Sequence, residues 1–316
     1  MCGIVAAASQ SNIISILADG LKHLEYRGYD SSGIALIQNK NISSYKKKGN
    51  VSELTNSLDK KLNSNIGIAH TRWATHGKPS EKNAHPHISE NNIAIVHNGI
   101  IENHLEIKNK FFKNTDFSSE TDSEILAHLI NLYKKDNEIF EAVYLALKEV
   151  KGSYAIAVLD RKNPDMLIVA RNGSPLLIGL GENTNYIASD AQALIEHTNK
   201  FVYLEDGDLA TVTSEEVKIY NKDKKSIRRE TKKSKLSLNS NLKNGYKHFM
   251  LKEIFEQPDA VRATIQDRII NNSVPKEILG PNAKEYLEKF KVVQIIACGT
   301  SYHAALVAKH WLERLA

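Results

Sequence analysis

Two periods run through the apolar positions of this chain. Residues 3–9 (GIVAAAS) form a short apolar run, which predicts a buried strand. Over residues 10–25, Ile13, Ile16, Leu17, Leu21 and Leu24 recur at helical spacing. EYRGYDSSG then has loop chemistry, GIALIQN reads as a strand, and ISSYKKKG reads as its hairpin partner. Residues 65–73 (NIGIAHTRW) and 93–100 (IAIVHNGI) predict two more strands that end in polar residues. Residues 101–112, 122–134 and 138–150 carry helical patterns, with a start signal at Ser119 to Asp122. YAIAVLD, MLIVARN, PLLIGLG and NYIASD are short strands split by turn residues such as Asn163-Pro164 and Asn172-Gly173. FVYLEDGDLATVT and EVKIYN follow as further strands. Helix pairs set between groups of strands predict α+β layers rather than a doubly wound parallel sheet.

Residues 222–235 (KDKKSIRRETKKSK) break the composition, with only Asp223 and Glu230 against a run of lysine and arginine. No aromatic residue interleaves the charges as a base-stacking surface would require. The stretch therefore reads as a solvated hairpin and linker, not a nucleic-acid arm. Beyond it, HFMLKEIFEQPDAVRATI is helix-like, VVQIIAC reads as an apolar strand, and HAALVAKHWLERLA reads as a helix after Gly-Thr-Ser. One strand and one helix cannot bury their own faces, so this βα unit reads as the opening piece of a larger α/β domain. The expected organisation is a first domain over 1–221, a basic hairpin and linker over 222–247, and a truncated second domain over 248–316. An interrupted βα unit favours a fragment of a longer protein over a natural short form.

Composition changes this picture little. The 316 residues are enough for two domains, and 41% hydrophobic with 25% charged residues is ordinary for a globular protein. A net charge of +5 is a weak pointer to an anionic partner and fits a lysine-rich surface. The two cysteines, Cys2 and Cys298, lie at opposite ends without metal-type spacing, which suits a reducing compartment. The start MCGIVAAASQ has no basic n-region, and no apolar run approaches a bilayer span. A cytoplasmic protein without a membrane partner is expected.

The candidate chemistry begins at Cys2. If Met1 is removed, the Cys2 thiol and its own α-amino group share one framework. Their ordinary pKa values lie near 8.5 and 8, so the amine is a matched proton acceptor. That is an N-terminal nucleophile with a built-in base. A small buried cysteine behind a retained Met1 is the plain alternative. His85 and His87 in HPH suggest a metal, but no cysteine or acidic cluster stands at ligand spacing, and no metal is expected.

The start Cys-Gly-Ile-Val, followed by LEYRGYDSSG (24–33), HTRWATHG (70–77), HNGIIEN (97–103), SETD (119–122), RNGSPL (171–176) and IASD (187–190), resembles the N-terminal-cysteine glutamine amidotransferases of the glucosamine-6-phosphate synthase family. KEIFEQP (252–258) and ACGTSY (297–302) extend the resemblance into that family's isomerase half. The resemblance implies a four-layer αββα N-terminal-nucleophile hydrolase fold, followed by the start of an α/β sugar-isomerase domain. It implies hydrolysis of L-glutamine through a Cys2 thioester, with the ammonia passed to fructose 6-phosphate. It assigns oxyanion donors to the Asn98 side chain and Gly99 N–H, where the residues alone read as a tight turn. It assigns the glutamine α-carboxylate to Arg72 and its ammonium to Asp122, which alone would be an ordinary ion pair. Thr75 and His76 line the glutamine site, Trp73 gates an ammonia channel, and Arg27 supports the nucleophile. Gly299, Thr300 and Ser301, by themselves a generic βα turn, fall in the sugar-phosphate site.

The remaining isomerase residues of that family have no counterpart in these 316 positions, so only the glutaminase step is expected of this chain. No cofactor is implied, and a homodimer is expected only where the isomerase half is present. One rival is a relative with the same front end and another acceptor domain; EYRGYDSSG, HTRWATHG and ACGTSY argue against it. The other is a catalytically silent amino-acid or sugar-phosphate sensing module of the same fold; the intact Cys2, Arg72, Asn98 and Asp122 argue against that.

Overall fold

A computed structural model describes residues 2–59, 61–74, 77–234, 245–265 and 289–315. The chain divides into two compact units, Met1–Leu242 and Lys243–Ala316.

In chain order, the first unit contains β1 (Gly3–Ser9), α1 (Ile14–Leu24), β2 (Ser31–Gln38), β3 (Asn41–Lys48), α2 (Val51–Ser57), β4 (Ile66–Arg72), β5 (His87–Ser89) and β6 (Ile93–Ile101). Helices α3 (His104–Phe111), α4 (Asp122–Tyr133) and α5 (Ile139–Glu149) follow. The strands β7 (Gly152–Asp160), β8 (Leu167–Asn172), β9 (Leu177–Leu180), β10 (Thr184–Ala188), β11 (Lys200–Tyr203), β12 (Leu209–Val212), β13 (Val217–Tyr220), β14 (Ser226–Ile227) and β15 (Thr231–Lys233) complete it. They form an eight-stranded sheet, β15-β11-β9-β10-β1-β4-β2-β3, and a seven-stranded sheet, β14-β13-β12-β8-β7-β6-β5. Neighbouring strands within both sheets pair antiparallel.

The period-2 alternation of each strand decides which layer it serves. In β1, Ile4, Ala6 and Ala8 enter the core between the sheets, while Val5 and Ala7 pack against Leu17 and Leu21 of α1. In β6, Ala94 and Val96 face the first sheet, while Ile93 and Ile95 meet Ile125, Leu126 and Leu129 of α4. Helices α1 and α2 thus cover one sheet and α3, α4 and α5 the other, giving four layers, αββα.

The sequence pattern and the structure part in three places. Helix α2 is not evident from periodicity. It is capped locally instead: the Asn50 side chain accepts from the Glu53 N–H at 2.9 Å, and Glu25 Oε1 accepts from the Val51 N–H at 2.7 Å. The basic stretch pairs as a hairpin, but it closes the first compact unit, which runs on to Leu242 rather than ending at 221. Ser226–Ile227 pairs with β13 and Thr231–Lys233, exposed throughout, pairs with β11, so the side chains stay in water while the backbone completes both sheet edges. In the second unit, α6 (Phe249–Ile265) and α7 (Gly299–Leu315) form as the pattern predicts. The apolar run 292–298 forms no strand, since a strand needs a neighbouring strand and none lies beside it among the described residues. Among the described residues, no helix is long and apolar enough to cross a membrane.

Candidate active site

The site lies where β1, β4 and β6 end. Cys2 immediately precedes β1, and Arg72 closes β4 beside it, the register placing Gly3 against Thr71. Gly3 is required by packing: a Cβ there would fall 2.6 Å from Thr71 Oγ1 and 2.7 Å from Leu24 Cδ1. The glycine therefore serves the close approach of α1 and β4.

Cys2 Sγ accepts from the Trp73 N–H at 3.2 Å and donates to the Trp73 carbonyl at 3.5 Å. Burial pushes its thiol pKa up, opposed by the Trp73 main chain and the Arg72 guanidinium. Arg72 is buried, donating from Nη2 to Gly77 O at 3.1 Å, with Nη1 3.6 Å from Asp30 Oδ1. Asp30 binds the same segment through its own backbone, donating its N–H to Arg72 O at 2.7 Å, and its carboxylate accepts from the Ala74 N–H.

Asn98 comes from the other sheet. Its Nδ2 donates to Cys2 O at 3.3 Å, and its Oδ1 lies 2.9 Å from His70 Nε2. Gly99 follows at φ +135°, and a Cβ there would fall 2.0 Å from Ser153 O, so no side chain fits. Asp122 opens α4 with a buried carboxylate whose Oδ2 accepts from the Ile101 N–H at 2.7 Å.

The SETD stretch is folded by Glu124. Its Oε1 accepts from the Ser118 N–H and Oγ at 2.7 and 2.6 Å, and its Oε2 accepts from the Ser119 N–H and Oγ at 2.5 and 2.6 Å. Burial alone would raise the pKa of this carboxyl, but His128 and the two serines hold it well below the usual range. Asn83 joins this stretch to the loop after β4, donating to both Lys78 O and Glu120 Oε2 at 2.9 Å.

Trp73 is 53% exposed and packs on Gly28. Arg27 donates to Asp190 Oδ2 at 3.1 Å, as does Tyr26 at 2.6 Å, so the RGYD loop is tied to the IASD stretch. Burial and the Asp190 carboxylate push the Tyr26 hydroxyl up to about 12. Thr75 and His76 lie outside the described residues. Gly299, Thr300 and Ser301 open α7 in the other unit, and all three are exposed.

The histidines form a buried group. His70 stacks on His85 at 4.2 Å between ring centroids, and His85 meets His87 edge-on at 4.5 Å. Burial lowers the pKa values of His70, His85, His87 and His97, that of His70 to about 3. Among the described residues, no group of three or more His, Cys, Asp or Glu side chains is arranged to hold a metal ion. Sequence reasoning about single motifs missed His70, Asp30 and Glu124. The signal for His70 was present: it continues the inward stripe of Ile66 and Ile68, where a polar group needs a buried partner.

Residues 70–196 match the glutamine amidotransferase domain family. The glutamine–fructose-6-phosphate aminotransferase [isomerizing] of Shewanella oneidensis is 48% identical over 99% of this chain and 52% of its own length. The enzyme of that name from Escherichia coli K12 is 45% identical over 100% of this chain and 52% of its own. The chain thus spans about half the length of the curated relatives it matches. Among solved structures, the glutamine phosphoribosylpyrophosphate amidotransferase from B. subtilis shares the fold, with a TM-score of 0.61 at 24% identity over 70% of this chain and 49% of that one. With its two-sheet fold and the match over residues 70–196, the chain contains a glutamine amidotransferase domain, and along its length it is similar to glutamine–fructose-6-phosphate aminotransferases, of which it spans about half.

Proposed function

We propose that this chain hydrolyses L-glutamine to glutamate and ammonia, with Cys2 as the nucleophile. The observation that carries the reading is the meeting of two sheets at one cysteine: Cys2 heads β1, its thiol held by the Trp73 main chain and its carbonyl by Asn98 of β6. After loss of Met1, the Cys2 α-amino group takes the thiol proton, and the thiolate attacks the side-chain carboxamide carbon. The tetrahedral oxyanion takes hydrogen bonds from Asn98 Nδ2 and the Gly99 N–H. Its collapse breaks the C–N bond, ammonia leaves with the proton returned by the ammonium, and water then cleaves the γ-glutamyl thioester. Arg72 holds the substrate α-carboxylate and Asp122 its ammonium, with Thr75 and His76 as further glutamine-binding residues. Trp73 gates the exit of ammonia, and Arg27 supports the loop behind the nucleophile. This route uses no metal or cofactor, and a free thiol suits a reducing cytoplasm.

In a protein of the length of the relatives, the ammonia would go to fructose 6-phosphate, with Gly299, Thr300 and Ser301 forming part of its phosphate site. Homodimerisation would belong to that longer form. The test is glutamate release from L-glutamine by the purified chain, with Met1 removal verified by mass and Cys2→Ala beside it. Release that vanishes in the variant supports the reading. A folded, processed chain that releases none overturns it.

A further inference from the structure

The inward stripes of two strands from opposite sheets converge on one hydrogen bond. In β4, Ile66 and Ile68 lie in the core between the sheets, and His70 comes next on that face. In β6, Ala94 and Val96 lie in the same core, and Asn98 comes next. His70 is fully buried, and its Nε2 lies 2.9 Å from Asn98 Oδ1 and 3.1 Å from the His97 carbonyl oxygen. A main-chain carbonyl can only accept, so Nε2 must carry a hydrogen. An N–H facing the Asn98 carboxamide in turn requires that its oxygen, not its nitrogen, point to His70. The nitrogen is then left pointing at Cys2, where it donates to the carbonyl at 3.3 Å. A second ring proton would have to sit on Nδ1, which is buried, has no hydrogen-bond partner and stacks against His85. Burial pulls this imidazole down to about 3, so the ring carries one proton at neutral pH.

We propose that His70 is a positioning residue that locks the Asn98 carboxamide with Nδ2 toward the reacting carbonyl, an inference that rests on the reading of Cys2 as nucleophile. Without the His70 N–H, the carboxamide can turn over and present its oxygen to the oxyanion, where it repels instead of stabilising. Replacement by glutamine keeps an N–H near the Nε2 position. Asparagine reaches only as far as Nδ1 and loses it.

The test is glutaminase kinetics on the full chain for His70→Gln, His70→Asn, His70→Phe, Asn98→Ala and the His70→Phe/Asn98→Ala pair, each verified as folded. His70→Phe should lower kcat by about 100-fold, the scale of one lost oxyanion donor, with KM within about threefold. In the Asn98→Ala background the same change should alter kcat less than about twofold, because the group it positions is gone. His70→Gln should retain most of kcat and His70→Asn should not, an ordering that decides the matter even if the Phe variant fails to fold. Equal losses in both backgrounds, or Gln no better than Asn, overturn the proposal. If the wild-type chain releases no more glutamate than Cys2→Ala, it is the reading of function that fails. The His70 assignment is then judged by imidazole 15N shifts: a protonated Nε2 and a bare Nδ1 are expected, and the opposite tautomer overturns it.

Discussion

Gly28 backs directly onto the indole of Trp73: a Cβ built on Gly28 would lie 2.4 Å from Cε3 and 2.6 Å from Cζ3 of the ring. The contact joins the RGYD loop to the residue whose main chain holds the Cys2 thiol. Gly28 also sits at φ +96° and ψ 150°, a region that side-chain-bearing residues avoid. The same glycine therefore answers to a backbone need and to a ring.

Gly28→Ala is accordingly expected to destabilise the first unit by about 1–3 kcal/mol and to swing the Trp73 ring off the loop. Urea denaturation reads the first effect. The second is read by fluorescence in a Trp311→Phe background, since these are the chain's two tryptophans. An unshifted Trp73 emission with unchanged stability would show that the contact is not made in solution.

Gly99→Ala tests the turn beside Asn98. The added methyl would fall 2.0 Å from Ser153 O, a main-chain atom of β7 that cannot move without breaking the β6–β7 register. A loss of about 100-fold or more in kcat is expected, with the fold retained by circular dichroism. Wild-type turnover in this variant would remove Gly99 from the site.

Glu124 accepts four hydrogen bonds from Ser118 and Ser119, which no amide could accept together. Glu124→Gln leaves one oxygen and introduces donors facing donors. A loss of about 2–3 kcal/mol is expected, the scale of hydrogen bonds to a buried charged group. Because α4 begins with Asp122 just after these serines, KM for glutamine should rise alongside the loss.

Much of this architecture is legible in the letters, and the exceptions share a cause. Periodicity gives β1, α1, β4, β6 and α4, because each buries one face along its own length and writes that need into consecutive residues. Helix α2 is short and held by caps from Asn50 and from distant Glu25, which periodicity does not see. Residues 292–298 are apolar enough for a strand, but a strand exists only as a pair. Cys2, Arg72, Asn98 and Asp122 stand out because they close recognisable motifs. Asp30 binds the end of a neighbouring strand and His70 meets Asn98 only once the two sheets pack, while Glu124 folds its own segment onto Ser118 and Ser119; of the three, only His70 carries a periodic signal, its place on the inward stripe of β4.

The four buried histidines make a pH prediction of definite sign. Burial lowers the pKa values of His70, His85, His87 and His97 below their ordinary 6.5, so the folded state keeps them neutral. A histidine with a depressed folded pKa contributes stability above its unfolded pKa and loses it as pH falls from there toward the folded value. The window therefore opens near pH 6.5 and extends down to about 3 for His70. Each such group lowers stability by about 1.4 kcal/mol per pH unit within its window, and four together by up to roughly 5. Urea titrations between pH 8 and pH 5 should show a nearly flat region above 7 and a steep fall below 6. A shallow, single-proton slope would mean that most of these rings already carry charge in the folded state.

Arg72→Lys separates binding from chemistry. The guanidinium is held at Gly77 O and beside Asp30, which fixes its plane, and under the proposed function that plane faces the substrate carboxylate. Lysine keeps the charge but loses the planar fork, so two parallel hydrogen bonds become one. Losing one charge-assisted bond costs about 1.5–3 kcal/mol. KM for L-glutamine should therefore rise about 10- to 150-fold with kcat within a few-fold, the mark of an interaction equal in ground and transition states. The control is the α-methyl ester of L-glutamine, which lacks the carboxylate. Its KM should already be high with wild-type protein and should change little in the variant. An equal rise for both substrates would show that Arg72 shapes the loop rather than binding the α-carboxylate, and the substrate would need another anchor.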